Sequence, residues 1–178
     1  MPNPTLDALD RARRVRLMIF DVDGVLTDGR LYFGAAGESL KAFHSRDGHG
    51  LKMLAASGVA PAILSGRDSP AVAARAAELG IGTVLQGVGD KRAALEALLG
   101  RLRLDTQAAG YMGDDVVDIG VMRRCGLACA SAEAPEPVRR HAHYVATAPA
   151  GAGAVREVCE LLMRAQGTLE ATLEPYLA

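Results

Sequence analysis

The stretch MIFDVDGVLTD places three carboxylates directly behind an apolar run. Asp21 and Asp23 follow Phe20 at once, and Asp28 comes shortly afterwards. Ionised carboxylates that crowd together at the end of a buried segment repel one another and lose hydration, so they need a positive partner. The stretch therefore predicts a binding site for a cation.

Three further apolar runs end in groups that suit phosphoryl chemistry. VAPAILSGR ends with Ser65 and Gly66 before an arginine, QGVGDK ends in Lys91, and AAGYMGDDVVD carries Asp114. Asp21 and Asp114 can bind a hard cation such as Mg²⁺, which prefers oxygen ligands. The hydroxyl of Ser65, the backbone N–H of Gly66 and the ammonium of Lys91 can hold the oxygens of a phosphoryl group.

The first two aspartates suit two different chemical steps. Asp21 can attack phosphorus with an uncoordinated oxygen and so form a covalent intermediate. Asp23, two residues on, can protonate the leaving alcohol and later activate water. The residue types therefore predict hydrolysis of a phosphate ester.

Each motif taken alone also has an ordinary interpretation. A calcium loop would place glycine sixth and glutamate twelfth, whereas Gly24 is fourth and Tyr32 twelfth, counted from Asp21. GDD is commonly a turn with a helix N-cap, SGR a turn, and an isolated Lys91 a solvated surface residue. Their order along the chain, each at a predicted strand end, favours one shared site.

Apolar runs alternate with amphipathic segments along the chain, which is typical of a βα-repeating fold. The predicted strands are 16–20, 30–33, 39–44, 59–64, 83–85, 108–112, 127–130 and 144–145. The predicted helices are 6–14, 48–56, 70–79, 91–102, 116–124 and 154–165. This pattern indicates a three-layer, Rossmann-like α/β fold with a mostly parallel sheet and a small β-hairpin flap. Ligands of such sheets bind beyond the carboxyl ends of the strands, where the four motifs would meet.

Length and composition bound the organisation of the protein. The 178 residues suit a single domain over 1–178, with a core at about 15–166, a hairpin flap at 30–44 and a tail at 167–178. We expect this tail to be mobile. The formal net charge is −1 and no basic run is present, which argues against nucleic acid and against a polybasic membrane contact as partners.

The chain also lacks sequence signals for export or membrane insertion. No apolar stretch reaches the ~18 residues of a membrane span, and the charged N-terminal segment has no apolar core of a signal peptide. The three cysteines have no metal-binding spacing and suit buried, reduced thiols. We therefore expect a cytoplasmic location.

Together the four motifs resemble those of the haloacid dehalogenase-like (HAD) phosphatases. DVDGVLTD, SGR, the lysine of GDK and GDDVVD match in order, and the likeness covers about residues 16–166. It implies a HAD-like fold, Mg²⁺ as cofactor and an aspartyl-phosphate intermediate. By this resemblance Asp21 is the nucleophile and Asp23 the general acid and base. The metal ligands would be Asp21, Asp114 and the backbone carbonyl of Asp23, and Asp118 would support the lysine or the metal's waters.

The spacing of the motifs points to the capless branch of this family. The segments from Asp28 to Ser65 and from Ser65 to Lys91 are shorter than the ~50 residues of a small domain, so neither can hold a cap domain. DVDGVLTDGRLYFGAAGESLKAFHSRDGHGLKML and AGAVREVCELLMRAQG resemble the branch that hydrolyses 3-deoxy-D-manno-octulosonate 8-phosphate in lipopolysaccharide synthesis. That resemblance implies a homotetramer, in which the hairpin packs with its symmetry mates and a neighbouring subunit helps to close the site.

Three arginines are candidates for binding the sugar acid. Arg67 follows SG directly and can bind a phosphate or a carboxylate through two parallel hydrogen bonds. Arg46 matches a family segment that lines the sugar pocket, from the same or the adjacent subunit, and Arg75 lies on the helix after Ser65. An ordinary surface role is the alternative for each.

Two other functions remain open at this point. The first is a sister phosphatase for a nine-carbon, sialic-type sugar acid phosphate, which only the sugar-pocket residues would distinguish. The second is a phospho-aspartate receiver domain of a signalling protein. Receivers lack an acid two residues after the phosphorylated aspartate, so Asp23 favours the enzyme.

Overall fold

A parallel six-stranded sheet lies at the centre of the protein. The computed structural model describes residues 4–35 and 37–177. The strands are β1 (Leu17–Phe20), β2 (Tyr32–Gly34), β3 (Gly37–Leu40), β4 (Ala60–Leu64), β5 (Thr83–Leu85), β6 (Ala109–Gly113), β7 (Leu127–Ala130) and β8 (Tyr144–Val145). The order in the sheet is β5-β4-β1-β6-β7-β8, while β2 and β3 form a separate antiparallel hairpin.

Helices cover both faces of the sheet. They are α1 (Leu6–Ala12), α2 (Ser45–Ala56), α3 (Pro70–Leu79), α4 (Lys91–Leu102), α5 (Ile119–Met122), α6 (Glu136–Arg139), α7 (Ala154–Ala165) and α8 (Leu169–Leu173), with 3-10 segments at Thr106–Ala108, Val116–Asp118 and Glu174–Tyr176. No helix in the described ranges is both long enough and apolar enough to cross a membrane.

The central strand β1 shows why the sheet is buried on both sides. Met18 and Phe20 pack into one apolar cluster with residues of α1, α2, α3 and α7. Leu17 and Ile19 point the other way, into a second cluster with residues of α4, α5 and α6. A strand covered on both faces needs an unbroken apolar sequence, which LMIF supplies. The three-layer α/β fold predicted from the sequence is confirmed.

The register of the sheet brings the predicted motifs to one edge. Phe20 lies beside Ile63 of β4 on one side and beside Met112 of β6 on the other, with all strands parallel. The residues that follow these strands therefore leave the sheet side by side. This position is the crevice in which open α/β sheets bind ligands.

A buried carboxylate holds the loop from β8 to α7 in place. The side chain of Glu157 accepts four hydrogen bonds: from the Tyr144 hydroxyl (2.6 Å), the Thr147 N–H (2.9 Å), the Thr147 hydroxyl (2.8 Å) and the Ala148 N–H (3.0 Å). The same loop packs against the segment after β1, because the Gly151 N–H donates to the Val25 carbonyl at 3.1 Å. Glu157 thereby supports the wall of the strand-end crevice.

The helix α2 begins three residues before its predicted start at 48. Ser45 and Arg46 join the helix because His44 caps it, with Nδ1 accepting the N–H of Arg46 at 3.2 Å. The carboxylate of Asp47 in the first turn reaches across to α7 and accepts the N–H groups of Gly153 (3.1 Å) and Arg156 (2.8 Å). Histidine is an unusual cap, so sequence patterns place this start too late.

Several other boundaries differ from the predicted ones. Residues 116–124, predicted as one helix, form a 3-10 turn at Val116–Asp118 and then the four-residue α5. The helix is interrupted because the Asp118 side chain accepts the backbone N–H of Asp115 at the start of the turn. The hairpin strands are shorter than 30–33 and 39–44, and residue 36 of the turn lies outside the described residues. The short helix α6 has no apolar repeat long enough to predict it.

The expectation of a mobile tail at 167–178 is wrong for the part that the structure describes. Leu169 is buried and begins α8, and the Tyr176 hydroxyl lies 2.9 Å from His49 Nε2 on α2. The two aromatic rings meet edge to face with centroids 5.3 Å apart. The tail therefore folds back onto α2. That 1–178 forms one domain stays a prediction.

Replacing Glu157 by alanine is expected to lower the free energy of unfolding by about 3 kcal/mol, because buried N–H and O–H groups lose a charged acceptor. Urea unfolding at fixed protein concentration measures this change. The exposed Glu170 is the matched control, and Glu170→Ala should cost less than about 0.5 kcal/mol. Equal losses in the two variants would contradict the role given to Glu157.

Candidate active site

The loop after β1 turns sharply and presents two carboxylates at the sheet edge. Gly24 has φ +80°, a conformation that favours glycine, and a Cβ built there would lie 2.0 Å from Asp114 Oδ2. The buried Thr27 hydroxyl donates to the Val22 carbonyl at 3.3 Å and closes the turn. Glycine at position 24 therefore permits the turn. It also lets Asp114, which follows β6, approach the loop that carries Asp21 and Asp23.

The ammonium of Lys91 lies between two carboxylates. Its Nζ is 2.6 Å from Asp21 Oδ2 and 2.8 Å from Asp118 Oδ1, and it also lies 3.3 Å from the Tyr111 hydroxyl. Burial alone would lower the pKa of Lys91, but the negative charges of Asp21 and Asp118 raise it above its ordinary value. Lys91 thus stays charged, at the N-terminus of α4.

Asp118 uses its carboxylate to hold other members of the site. Oδ1 accepts from Lys91 Nζ and from the Tyr111 hydroxyl at 2.6 Å, and Oδ2 accepts the N–H groups of Asp114 (3.0 Å) and Asp115 (3.2 Å). A Cβ on Gly113 would lie 2.6 Å from Asp118, so glycine there lets the carboxylate approach. Because its acceptor positions are occupied, Asp118 positions neighbours rather than offering a free ligand.

The carboxylates fit a divalent cation. Asp21, Asp114 and Asp118 each offer one oxygen, and these atoms all lie within 4.8 Å of one another. Burial and, to a smaller extent, the negative charge of Asp21 raise the pKa of Asp114 to about 7. Burial and the charge of Asp118 likewise raise the pKa of Asp21. An all-oxygen set with excess negative charge suits a hard ion such as Mg²⁺. Each Asp21 oxygen accepts one hydrogen bond, from the Val22 N–H (2.7 Å) or from Lys91 Nζ (2.6 Å), and keeps a lone pair for the ion. Each Asp118 oxygen already accepts two hydrogen bonds, so Asp21 and Asp114 are the better ligands.

The loop after β4 carries the predicted phosphate-binding residues. Ser65 is buried, its N–H donates to the Leu85 carbonyl at 2.8 Å, and its Oγ accepts the N–H of Arg67 at 3.2 Å. Gly66 is exposed beside it. Since β4 is adjacent to β1, Ser65 and Gly66 leave the sheet next to the Asp21 loop.

The hairpin reaches the same site, which the sequence did not predict. Lys41 lies just past β3, and its Nζ is 2.5 Å from Asp23 Oδ1 and 3.1 Å from Glu38 Oε2. The Ser69 hydroxyl donates to Glu38 Oε1 at 2.5 Å. Hydrogen bonding from Ser69 and the charge of Lys41 hold the pKa of Glu38 below its ordinary value. The sequence signal that could have predicted this contact is the pair of opposite charges in GESLK, Glu38 and Lys41, beside the apolar residues of the hairpin.

The three candidate arginines differ in position. Arg67 lies at the site: its Nε is 3.7 Å from Asp23 Oδ2, its Nη2 is 3.5 Å from Glu38 Oε2, and its guanidinium sits 5.6 Å from the Phe33 ring centroid. Arg46 is exposed in the first turn of α2. Arg75 pairs with Glu78 on its own helix at 2.7 Å. The structure brings only Arg67 of the three into contact with the carboxylate loop.

An open cavity of about 520 Å³ adjoins the carboxylates. Its walls come from three loops, with Gly24 and Arg30 on one, Ser131 on another and Gly151 on the third, and Asp114 faces it. A cavity with both polar and apolar groups in its lining, beside a cation site, can admit a small, charged molecule.

Residues 79–158 match the family model of the haloacid dehalogenase-like hydrolases. A 3-deoxy-D-manno-octulosonate 8-phosphate phosphatase of Yersinia pestis is 44% identical over 164 residues, which are 92% of this chain and 88% of the relative. The chain belongs to the haloacid dehalogenase-like hydrolases. The family resemblance predicted from the four motifs is confirmed, and with it the assignment of the chain as an enzyme of the phosphatase type.

Solved structures of haloacid dehalogenase-like hydrolases superpose closely. A probable YrbI family phosphatase of Pseudomonas syringae is 49% identical with a TM-score of 0.95, and the match covers 98% of this chain and 99% of that one. A 3-deoxy-D-manno-octulosonate 8-phosphate phosphatase of Moraxella catarrhalis, solved with magnesium, phosphate and KDO, is 38% identical with a TM-score of 0.93. That match covers 96% of this chain and 98% of the other.

The stability of the metal-free hydrolase is expected to depend on the ionisation of Asp114. The folded protein keeps this proton to about pH 7, whereas the ordinary pKa is 3.8. Ionisation is therefore unfavourable for the folded state, and stability falls as pH rises between these values. Relative to Asp114→Asn, the metal-free wild type should lose thermal stability from pH 5 to pH 8.

Magnesium should reverse this loss at pH 8 and have little effect at pH 5, because protons compete for the same oxygens. Thermal melts of both proteins with and without Mg²⁺ at the two pH values measure the effect. A stability difference between wild type and Asp114→Asn that does not change with pH would contradict the raised pKa.

Proposed function

We propose that the protein is a Mg²⁺-dependent phosphatase that converts 3-deoxy-D-manno-octulosonate 8-phosphate to the free sugar acid and phosphate, as a step of lipopolysaccharide biosynthesis. The observation that carries this proposal is the strand-end cluster of Asp21, Lys91, Asp114 and Asp118, with Asp23 beside it. The choice of substrate is supported by the similarity to two 3-deoxy-D-manno-octulosonate 8-phosphate phosphatases, those of Yersinia pestis and Moraxella catarrhalis. The three cysteines are buried and unpaired, which suits a reducing cytoplasm.

Asp21 is the nucleophile in this mechanism. Its oxygen attacks phosphorus as the bond between phosphorus and the sugar oxygen breaks, which gives an aspartyl phosphate and an alkoxide. Asp23 donates a proton to that departing oxygen. Asp23 then takes a proton from a water molecule that attacks phosphorus, and the bond from Asp21 to phosphorus breaks to release phosphate.

The remaining residues bind and orient the phosphoryl group. Mg²⁺, held by the carboxylates of Asp21 and Asp114 and the backbone carbonyl of Asp23, would offset the negative charge of nucleophile and phosphate. The Ser65 hydroxyl, the Gly66 N–H and the Lys91 ammonium supply donors to the phosphoryl oxygens. Asp118 fixes Lys91 through their 2.8 Å contact, and so keeps the ammonium aimed at the nucleophile.

We assign the binding of the sugar acid to the arginines. Arg67 is supported by its contacts at the site, and its guanidinium can bind the substrate carboxylate through two hydrogen bonds. Arg46 and Arg75 lie on α2 and α3, away from these contacts, so their role depends on an adjacent subunit.

A homotetramer would supply that subunit. The hairpin exposes large apolar side chains, with Leu31 44%, Phe33 61% and Leu40 52% exposed. Exposed apolar groups clustered on one flap are typical of an interaction surface. A capless site is open to water, and a second copy packed on the hairpin would enclose it.

A panel of sugar phosphates tests the function. We expect kcat/KM for 3-deoxy-D-manno-octulosonate 8-phosphate to exceed that for hexose phosphates and for a nonulosonate 9-phosphate by at least about 100-fold, as is usual when buried polar groups read a substrate. Asp21→Asn should release no phosphate above background, because the nucleophile is lost. Comparable rates across the panel, or full activity of Asp21→Asn, would overturn the proposal.

A charged substitution on the hairpin tests the proposed homotetramer. Phe33→Glu is expected to convert the tetramer to smaller species, because an ionised carboxylate in an apolar contact is strongly disfavoured. Light scattering after size-exclusion chromatography gives the mass. Leu6, 82% exposed on α1, is the matched control, and Leu6→Glu should leave the mass unchanged. A tetramer in the Phe33→Glu variant would remove the hairpin from the interface.

A further inference from the structure

We propose that Lys41 is a positioning residue, which holds the Asp23 carboxylate in the orientation for proton transfer and ties it to the hairpin; this inference rests on the proposed function. Lys41 belongs to none of the four motifs. Its contact with Asp23 joins residues 18 positions apart, from the hairpin and from the loop after β1. The general acid is thus held by an element outside the parallel sheet.

Burial sets Lys41 apart from an ordinary surface lysine. Its side chain is only 2% exposed, and its ammonium lies 2.5 Å from Asp23 Oδ1 and 3.1 Å from Glu38 Oε2. A buried ammonium is costly unless carboxylates surround it, so this geometry constrains all three side chains at once. A carboxyl group that gives a proton to a leaving oxygen and later takes one from water gains from such a constraint, because Lys41 holds one oxygen and leaves the other to carry the proton.

The other cation near Asp23 is held less firmly. Arg67 is 42% exposed, and its Nε is 3.7 Å from Asp23 Oδ2, beyond hydrogen-bond distance. Arg67 keeps its contacts with Glu38 and the Phe33 ring, but its long contact with Asp23 lets it turn to the substrate, whereas Lys41 stays on Asp23. The two cations face different oxygens of the same carboxylate and divide these tasks.

Glu38 anchors Lys41 to the body of the protein. One of its oxygens lies 3.1 Å from the Lys41 ammonium, and the other accepts the Ser69 hydroxyl at 2.5 Å. Ser69 occupies the N-cap position of α3, at the end of the loop that also carries the serine motif, and its hydroxyl bonds Glu38 instead of the helix. The chain of contacts Asp23–Lys41–Glu38–Ser69 therefore connects the general acid, the hairpin and the phosphate-binding loop.

The test compares two leaving groups in the Lys41→Met variant. A sugar alkoxide needs a proton as it departs, whereas p-nitrophenolate departs without one. General acid catalysis contributes 10²–10⁴-fold, and misplacing the acid forfeits part of it. We expect kcat/KM for the sugar phosphate to fall about 10- to 100-fold and that for p-nitrophenyl phosphate to fall less than about 3-fold.

Two further variants serve as references. Lys52→Met makes the same change at an exposed position of α2 and should leave both substrates unaffected. Asp23→Asn should show the same leaving-group selectivity as Lys41→Met, with a larger loss. If Asp23→Asn shows no selectivity, the proposed mechanism fails; if it does and Lys41→Met does not, only the role of Lys41 fails.

Other outcomes are equally decisive. Equal losses on both substrates would make Lys41 a merely structural residue, and a rise in KM with unchanged kcat would make it a substrate-binding residue; both overturn the inference. If Lys41→Met does not fold, Glu38→Gln supplies the test, because it loosens the anchor of Lys41 and keeps the shape. It should then show a selective loss of about 3- to 10-fold on the sugar phosphate, and a uniform loss would refute the proposal.

Discussion

The contact of the Lys91 ammonium with Asp21 and Asp118 is the interaction on which the site depends. One positive charge faces three carboxylates within a few ångströms, so the cluster is anionic overall and selects a cation to complete it. Removing Lys91 would leave buried charges without a partner, which proteins rarely tolerate. The same ammonium joins β1, the start of α4 and the turn after β6, and so connects chemistry to fold.

Close approach of backbone segments is the second requirement. Gly24 and Gly113 stand where any side chain would collide with Asp114 or Asp118. The carboxylates can therefore lie this close together only because Gly24 and Gly113 have no Cβ. On the far side of the crevice, Glu157 holds the loop that packs against the carboxylate loop.

The sequence predicted those parts of the fold that depend on local patterns. Helices 70–79, 91–102 and 154–165 were predicted with their observed bounds, since apolar periodicity and end signals coincide there. The apolar runs before Asp21 and Asp114 located the site because parallel strands end at one edge. Lys41 escaped prediction because its partner depends on how the hairpin folds back. The docked tail escaped it because its contacts, the buried Leu169 and the His49–Tyr176 pair, follow no apolar repeat.

The central place of β1 has a consequence for the order of events during synthesis. This strand emerges before β4 and β6, with which it pairs on its two sides. Until β6 is made, the run LMIF has no partner on one side and is exposed to wrong associations. The nascent chain therefore carries its nucleophile without a complete set of partners until Lys91, Asp114 and Asp118 have also been added.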